Sequence, residues 1–179
     1  YCYNLISIDL ADWDTQSIVA IGTMFFECLA LKYVNLSNWK ISNVSTIAQM
    51  FQNCYALETV NITGWKIQPS TNVTNLFNQA NKLIRIIMND TDITSVNKVL
   101  EQLPVGDETK AYDIYVHNVS NLESLNTSAP AFNITTIEEK YIITQYKFDK
   151  TISSNCLPST IAVDGGYDIL DENIDTDEN

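Results

Sequence analysis

Leu57 to Leu83 reads LETVNITGWKIQPSTNVTNLFNQANKL, and it repeats, 26 residues on, what stands before it. At that spacing Leu5, Leu31, Leu57 and Leu83 coincide, as do Ile8, Val34, Val60 and Ile86, then Leu10, Leu36, Ile62 and Met88. Trp13, Trp39 and Trp65 fall on one another, and so do the pairs Met24-Phe25, Met50-Phe51 and Leu76-Phe77. Cys2, Cys28 and Cys54 follow, with Ala80 in the fourth place. A fixed period in this range is the signature of a solenoid, in which no unit buries its apolar face alone and stacked units share one core.

Within the second unit, Leu31, Val34 and Leu36 give an L-x-x-L-x-L pattern whose end alternates as a short strand does. Tyr33, Asn35 and Ser37 then point to the opposite face. Trp39 stands where the chain turns off the strand, and Ser42-Asn43 supplies a helix cap. From Val44 the apolar positions change to Val44, Ile47, Met50-Phe51 and Cys54, a stripe with helical spacing. The expectation is an α/β solenoid of strand, turn and short helix, strands on one face and helices on the other. Trp13, Trp39 and Trp65 read as a core ladder rather than a stacking platform for a ligand. The three cysteines at one repeat position read as buried thiols acting as small hydrophobes. Cys156 stands apart from them, and with one histidine and no CxxC pair no zinc site is expected.

The text LSNWKISNVSTIAQMFQNCYALETVNITGW resembles the BspA-like leucine-rich-repeat surface proteins, chiefly in its recurring Trp, Met-Phe and Cys spacing. The resemblance covers about residues 1–88. It implies a leucine-rich-repeat solenoid, secreted or exposed on a cell surface, used for adhesion and protein binding rather than catalysis. The pattern decays downstream: Pro69-Ser70 replaces Asn-Val, Ala80 the Cys and Thr91 the Trp. The fourth unit, through Leu103, is therefore degenerate, as terminal units tend to be. At the other end, Tyr1-Cys2 aligns with Asn53-Cys54, so the chain is read as starting inside a unit of a longer array.

After the loop Pro104-Val105-Gly106-Asp107, Tyr112, Ile114 and Val116 alternate 26 residues beyond Ile86, Met88 and Asp90 and predict a fifth strand. Leu122 to Asn126 hints at a shortened sixth rung. The solenoid is thus placed at residues 1–132, and a β-rich C-terminal cap or module at 133–179. In the latter, Tyr141–Phe148 reads as a strand and 160–170 as a hairpin. The net charge of −12 excludes a nucleic-acid surface, but seven of the acids lie after Val163 with no base among them. That tail is oxygen-rich enough to suit calcium, though its spacing does not fit an EF-hand; no other cofactor is expected. No run approaches the length of apolar residues that a membrane helix needs.

No nucleophile–base pair, Walker loop or glycine-rich dinucleotide loop is present, and His117 has no catalytic context, so an enzyme is not expected. Eight N-x-S/T triplets occur, but Asn35 and Asn61 are partners within a sheet, where glycans would crowd each other. The leading reading is a non-catalytic, surface-exposed module that recognises protein partners through its strand face. Tyr33, Asn35, Thr59, Asn61, Arg85, Asn89, Tyr115 and His117 would carry the contacts, and the site should be removable by Tyr33→Ala with Arg85→Ala without lowering the melting temperature. The alternative is a structural, decorating component of a larger assembly, a surface layer or a viral particle, anchored by the C-terminal strands and acidic tail.

Overall fold

Four short strands with the sequence spacing just described stack in parallel: β1 (Ser7–Asp9), β2 (Tyr33–Asn35), β3 (Thr59–Asn61) and β4 (Arg85–Ile87). They belong to a computed structural model that describes residues 2–11, 13–104, 112–119, 124–125, 133–137 and 141–145. Each strand residue pairs with the residue 26 positions on, as in Val34 with Val60 and Val60 with Ile86. The result is a parallel-strand β-solenoid of about four turns. Val34, Val60 and Ile86 point inward, and Leu31, Leu57 and Leu83 bury beside them as the L-x-x-L-x-L pattern requires.

The aromatic positions form two columns, within the core except at Trp13, which is exposed at the outer end and so corrects the core reading expected for it. Trp39 stacks between Trp13 and Trp65 with ring centroids 6.3 and 6.4 Å away. Phe51 lies between Phe25 and Phe77 at 5.5 Å on either side, its ring nearly parallel to both. The buried indole N–H groups are satisfied by the preceding rung, Trp39 Nε1 donating to the Leu10 carbonyl and Trp65 Nε1 to that of Leu36. Cys28 and Cys54 are free and buried, and the Cys54 thiol donates to the Phe25 carbonyl. Burial pushes the Cys54 thiol up to about 12 and that of Cys28 in the same direction, which leaves both thiols un-ionised and inert at neutral pH. Cys2 is free and exposed. In a Cys156→Ser chain, a thiol-specific reagent should therefore titrate Cys2 quickly, and Cys28 and Cys54 only on unfolding. A second fast thiol in the native state would contradict the packed ladder.

The expected short helices are absent from the first three rungs, and this corrects the helix expected from Val44 to Cys54. Their apolar residues are buried as the pattern demands, but the backbone follows a different path. Alternate N–H groups leave the rung: Ile47, Gln49, Phe51 and Asn53 donate to the carbonyls of Asn72, Thr74, Leu76 and Asn78 in the next one. Met50, Gln52 and Cys54 bond three residues back within their own rung. The same alternation links Ile21, Thr23, Phe25 and Glu27 to the second rung. Such a path needs left-handed residues every fourth position. Thr23 and Glu27, Gln49 and Asn53, and Asn75 and Gln79 all lie at φ between 57° and 64°. Each costs about 1–2 kcal/mol in a non-glycine residue, which the inter-rung bonds offset.

A second left-handed position follows β2, β3, β4 and the fifth strand, at Asn38, Gly64, Asp90 and Asn118, where the residue types are those that tolerate it. At Gly64 the φ is 79°, and an added Cβ would press on Asn38 at 3.3 Å.

The fourth rung departs from the ladder. Here the one α-helix among the described residues, α1 (Ile93–Leu100), replaces the laddered turn. Asp92 caps it by accepting from the Ser95 N–H, and Val96, Val99 and Leu100 bury. The physical reason lies in its position. A helix satisfies its N–H groups within itself and so does not depend on carbonyls from a following rung. Side chains of this rung also take up two donors of the third, Ser95 Oγ accepting from Ile67 N–H and Gln102 Oε1 from Asn75 N–H.

The helical rung also lengthens the repeat. The fifth strand, β5 (Asp113–His117), pairs Ile114 with Ile86, a step of 28, so the 26-residue alignment of Tyr112, Ile114 and Val116 slips by two. Beyond β5 the sheet turns antiparallel, with β7 (Tyr141–Gln145) on β5 and β6 (Asn133–Ile137) at the far edge. Only Ser124 and Leu125 of the suggested sixth rung are described, and the hairpin at 160–170, Cys156 and the acidic tail lie outside the described residues. Among the described residues no helix is long and apolar enough to cross a membrane.

Candidate functional site

Because Val34, Val60 and Ile86 face the core, the residues flanking them face away, and the parallel register sorts these into two columns. One runs Ser7, Tyr33, Thr59, Arg85, Asp113; the other runs Asp9, Asn35, Asn61, Ile87, Tyr115. Six of the eight residues picked from the sequence stand in these columns: Tyr33, Asn35, Thr59, Asn61, Arg85 and Tyr115. Asn89 lies beyond β4 in the following turn, where its carbonyl accepts from the Gly64 N–H. His117 ends β5, opposite Tyr141 of β7.

Their setting is more enclosed than a strand pattern alone implies. Tyr33, Asn35, Thr59, Asn61, Arg85, Asn89 and Tyr115 are all buried, whereas Ser7 and Asp9 on β1 are exposed. Replacing Tyr33 by alanine therefore removes packed volume, and a loss of about 3–5 kcal/mol is expected, against the unchanged melting temperature expected from the sequence. Asn35 and Asn61 have local duties as well. Each side-chain oxygen accepts the N–H two residues on, from Ser37 and Thr63, and so turns the chain off its strand. Asn35 Nδ2 also donates to Asp9 across the rungs. Buried as they are, Asn35 and Asn61 present no accessible amide for a glycan.

Arg85 is the centre of the face. Its side chain is 1% exposed, its Nη2 stands 3.6 Å from the Asp113 carboxylate, and its Cζ lies 5.5 Å from the Tyr115 ring centroid. That ion pair is beyond hydrogen-bond length, and among the described residues Arg85 Nε and Nη2 find no hydrogen-bond partner. Asn61 Nδ2 and Thr59 Oγ1 beside them are in the same state. Burial pushes the Asp113 carboxyl above its ordinary range, and the neighbouring guanidinium draws it back only in part. Unmet buried donors each carry a penalty of about 1–3 kcal/mol, more for a charged group, so the cluster gains from any acceptor that reaches it.

The sequence reading missed Asp113 and Ile87. Asp113 was out of reach because the helical rung moves its strand by two residues, and Ile87 because the other members of its column are polar. Among the described residues no three His, Cys, Asp or Glu side chains gather where they could hold a metal.

No curated protein and no solved structure matches the chain. A family model does, over residues 2–106, which take in all four parallel rungs and α1. Its description is "Mycoplasma protein of unknown function, DUF285", and since the match covers more than half of the sequence, the chain belongs to that family.

Proposed function

We propose that the chain is a non-catalytic, extracellular or cell-surface module that binds a protein partner through the strand face of its solenoid. Arg85 carries this reading: a buried guanidinium with two unmet nitrogens, set beside the unmet Asn61 Nδ2 and Thr59 Oγ1. A partner offering a carboxylate or a row of carbonyls would take up those donors, and arginine at the centre of a desolvated patch is the residue type that dominates binding energy. The resemblance to BspA-like surface proteins points the same way, toward adhesion. Since the face is buried in this structure, a partner engages it only as the face opens, and association should reach a concentration-independent limit.

The test uses the full chain against purified secreted and extracellular proteins, with Arg85→Met to keep the aliphatic stem and remove the guanidinium. A protein bound by the parent chain should bind about tenfold or more weakly to the variant, the loss of one to two charged hydrogen bonds. Binding that Arg85→Met leaves unchanged moves the site off the strand face. The alternative, a decorating part of a larger assembly, rests on residues 133–179, of which strands β6 and β7 are described; a fixed oligomer that needs those residues would favour it.

A further inference from the structure

The outward side chains of β2 to β4 are buried, and their neighbours in the sheet do not account for it. Tyr33 on β2, Thr59 and Asn61 on β3, and Arg85 and Ile87 on β4 are all enclosed. Among the described strands β2, β3 and β4 pack edge to edge, each on its neighbours in the sheet. Such contacts lie in the plane of the sheet and leave its outer face bare, while the apolar core fills the opposite side. A cover for the outer face has to come from outside these strands. It also meets a specific demand, because Arg85, Asn61 and Thr59 hold buried polar atoms without a hydrogen-bond partner among the described residues.

That demand is for an acceptor, and a charged one serves it best. Arg85 Nε and Nη2 and Asn61 Nδ2 are donors, and a carboxylate on a desolvated guanidinium makes a stronger hydrogen bond than a neutral oxygen does. Asp113, at 3.6 Å, leaves both nitrogens unmet. Tyr33 and Ile87 add apolar surface to the same face. The chain carries one stretch of matching character. Residues 167–178 read YDILDENIDTDE, with six acids (Asp168, Asp171, Glu172, Asp175, Asp177 and Glu178), no base, and Ile169, Leu170 and Ile174 interleaved. Acids elsewhere outside the described residues keep lysines close, as Asp107-Glu108 with Lys110, Glu138-Glu139 with Lys140, and Asp149 between Lys147 and Lys150.

The chain also leaves the described strands close to Arg85. Arg85 pairs with Asp113, and Ile114 pairs with Thr144 in the antiparallel sense, so Gln145 at the end of β7 stands in the cross-sheet row of Arg85, two strands away. Two strand spacings are about 10 Å, which the residues from Tyr146 to Tyr167 can span several times over. We infer that residues 167–178 are an intramolecular ligand of the strand face, lying over β2 to β4 and setting a carboxylate on the Arg85 guanidinium. The inference rests on the strand face being the binding site proposed above. The segment occupies that site until a partner with its own carboxylate displaces it, so the module is self-inhibited. Tethering places the segment at an effective concentration of about millimolar, enough for a weak contact to persist.

Arg85 is the chain's one arginine, so a single Nε–Hε signal in the isotope-labelled full chain reports on it. Its exchange with solvent should be slow in the parent and about tenfold or more faster once the six acids are replaced by Asn or Gln, as expected on losing a charged hydrogen bond. A synthetic peptide of residues 164–179, added at millimolar concentration, gives the second arm. It should bind the neutralised chain saturably, fail to bind that chain carrying Arg85→Met, and bind the parent about tenfold or more weakly, since there the tethered segment competes. Exchange that neutralisation leaves unchanged overturns the inference, and so does a peptide that binds neither chain or both alike. Protection of Arg85 that grows with protein concentration assigns the contact to a second copy and overturns it as well. Neither arm uses a partner protein, so the two readings fail separately. A partner that needs Arg85, with an Arg85 signal indifferent to the acids, keeps the binding site and removes its internal ligand.

Discussion

Phe51→Ala is expected to lower the free energy of unfolding by about 3–5 kcal/mol, the cost of emptying a fully packed aromatic site. Phe51 is fully buried between Phe25 and Phe77, so truncation leaves a gap in the middle of a three-ring column. Two stacking contacts go with it, each worth about 0.5–1.5 kcal/mol beyond the buried area. The neighbouring rungs cannot close the gap, because their spacing is fixed by inter-rung backbone bonds on both sides of the residue. In a solenoid each rung is held only by its neighbours, so damage to the second rung also uncouples the first from the third. Urea titration of the parent and the variant measures the loss, and Tyr55→Ala, at a half-exposed site nearby, should stay within about 0.5 kcal/mol of the parent. A Phe51→Ala loss no greater than that control would mean that the column is not packed as described.

Gln49 gives the second large effect and separates the ladder from a helix. Its φ is 59°, and its N–H donates to Thr74 of the next rung. Gln49→Pro demands φ near −65° and removes the donor, so a loss of about 3 kcal/mol or more is expected. The informative partner is Gln49→Gly. At a left-handed position glycine escapes the Cβ strain, and the variant should be as stable as the parent or slightly more so. In the interior of a helix the same change costs about 0.5–1 kcal/mol. Thermal melts of the two variants beside the parent decide the sign, and a destabilised Gln49→Gly would favour the helix.

The period, the strands and the aromatic columns were legible because they depend only on which apolar residues recur at 26. The element between strands was not. Val44, Ile47, Met50-Phe51 and Cys54 bury equally well on a helix and on the laddered turn, so the pattern is right for both and decides neither. What decides is where alternate N–H groups go, and side chains do not record that. Thr23, Glu27 and Gln49 are not residue types that advertise a left-handed backbone, whereas Asn38, Gly64, Asp90 and Asn118 are, and that recurrence was available to be read. The degenerate fourth unit carried its own signal, Asp92 before Ile93, Val96 and Val99, a capped helix in the place where the ladder ends.

The strand face was half legible. Alternation named the outward residues of β2 and β3 and Arg85 of β4, since period two fixes which side each faces, but it passed over Ile87. It missed Asp113, the ion-pair partner of Arg85, because the longer helical rung moved the fifth strand by two residues. Burial of the face was beyond reach, for it depends on tertiary neighbours and not on a strand's own pattern.

The central claim is that alternate backbone N–H groups of the turn segments bond across rungs rather than within a helix. Scalar couplings through hydrogen bonds, measured by long-range HNCO spectroscopy on deuterated protein, observe those bonds directly. The account predicts a correlation between the amide nitrogen of Phe51 and the carbonyl carbon of Leu76, with a second between Gln49 and Thr74. A correlation from Phe51 to Ile47, four residues back in the same rung, would contradict it.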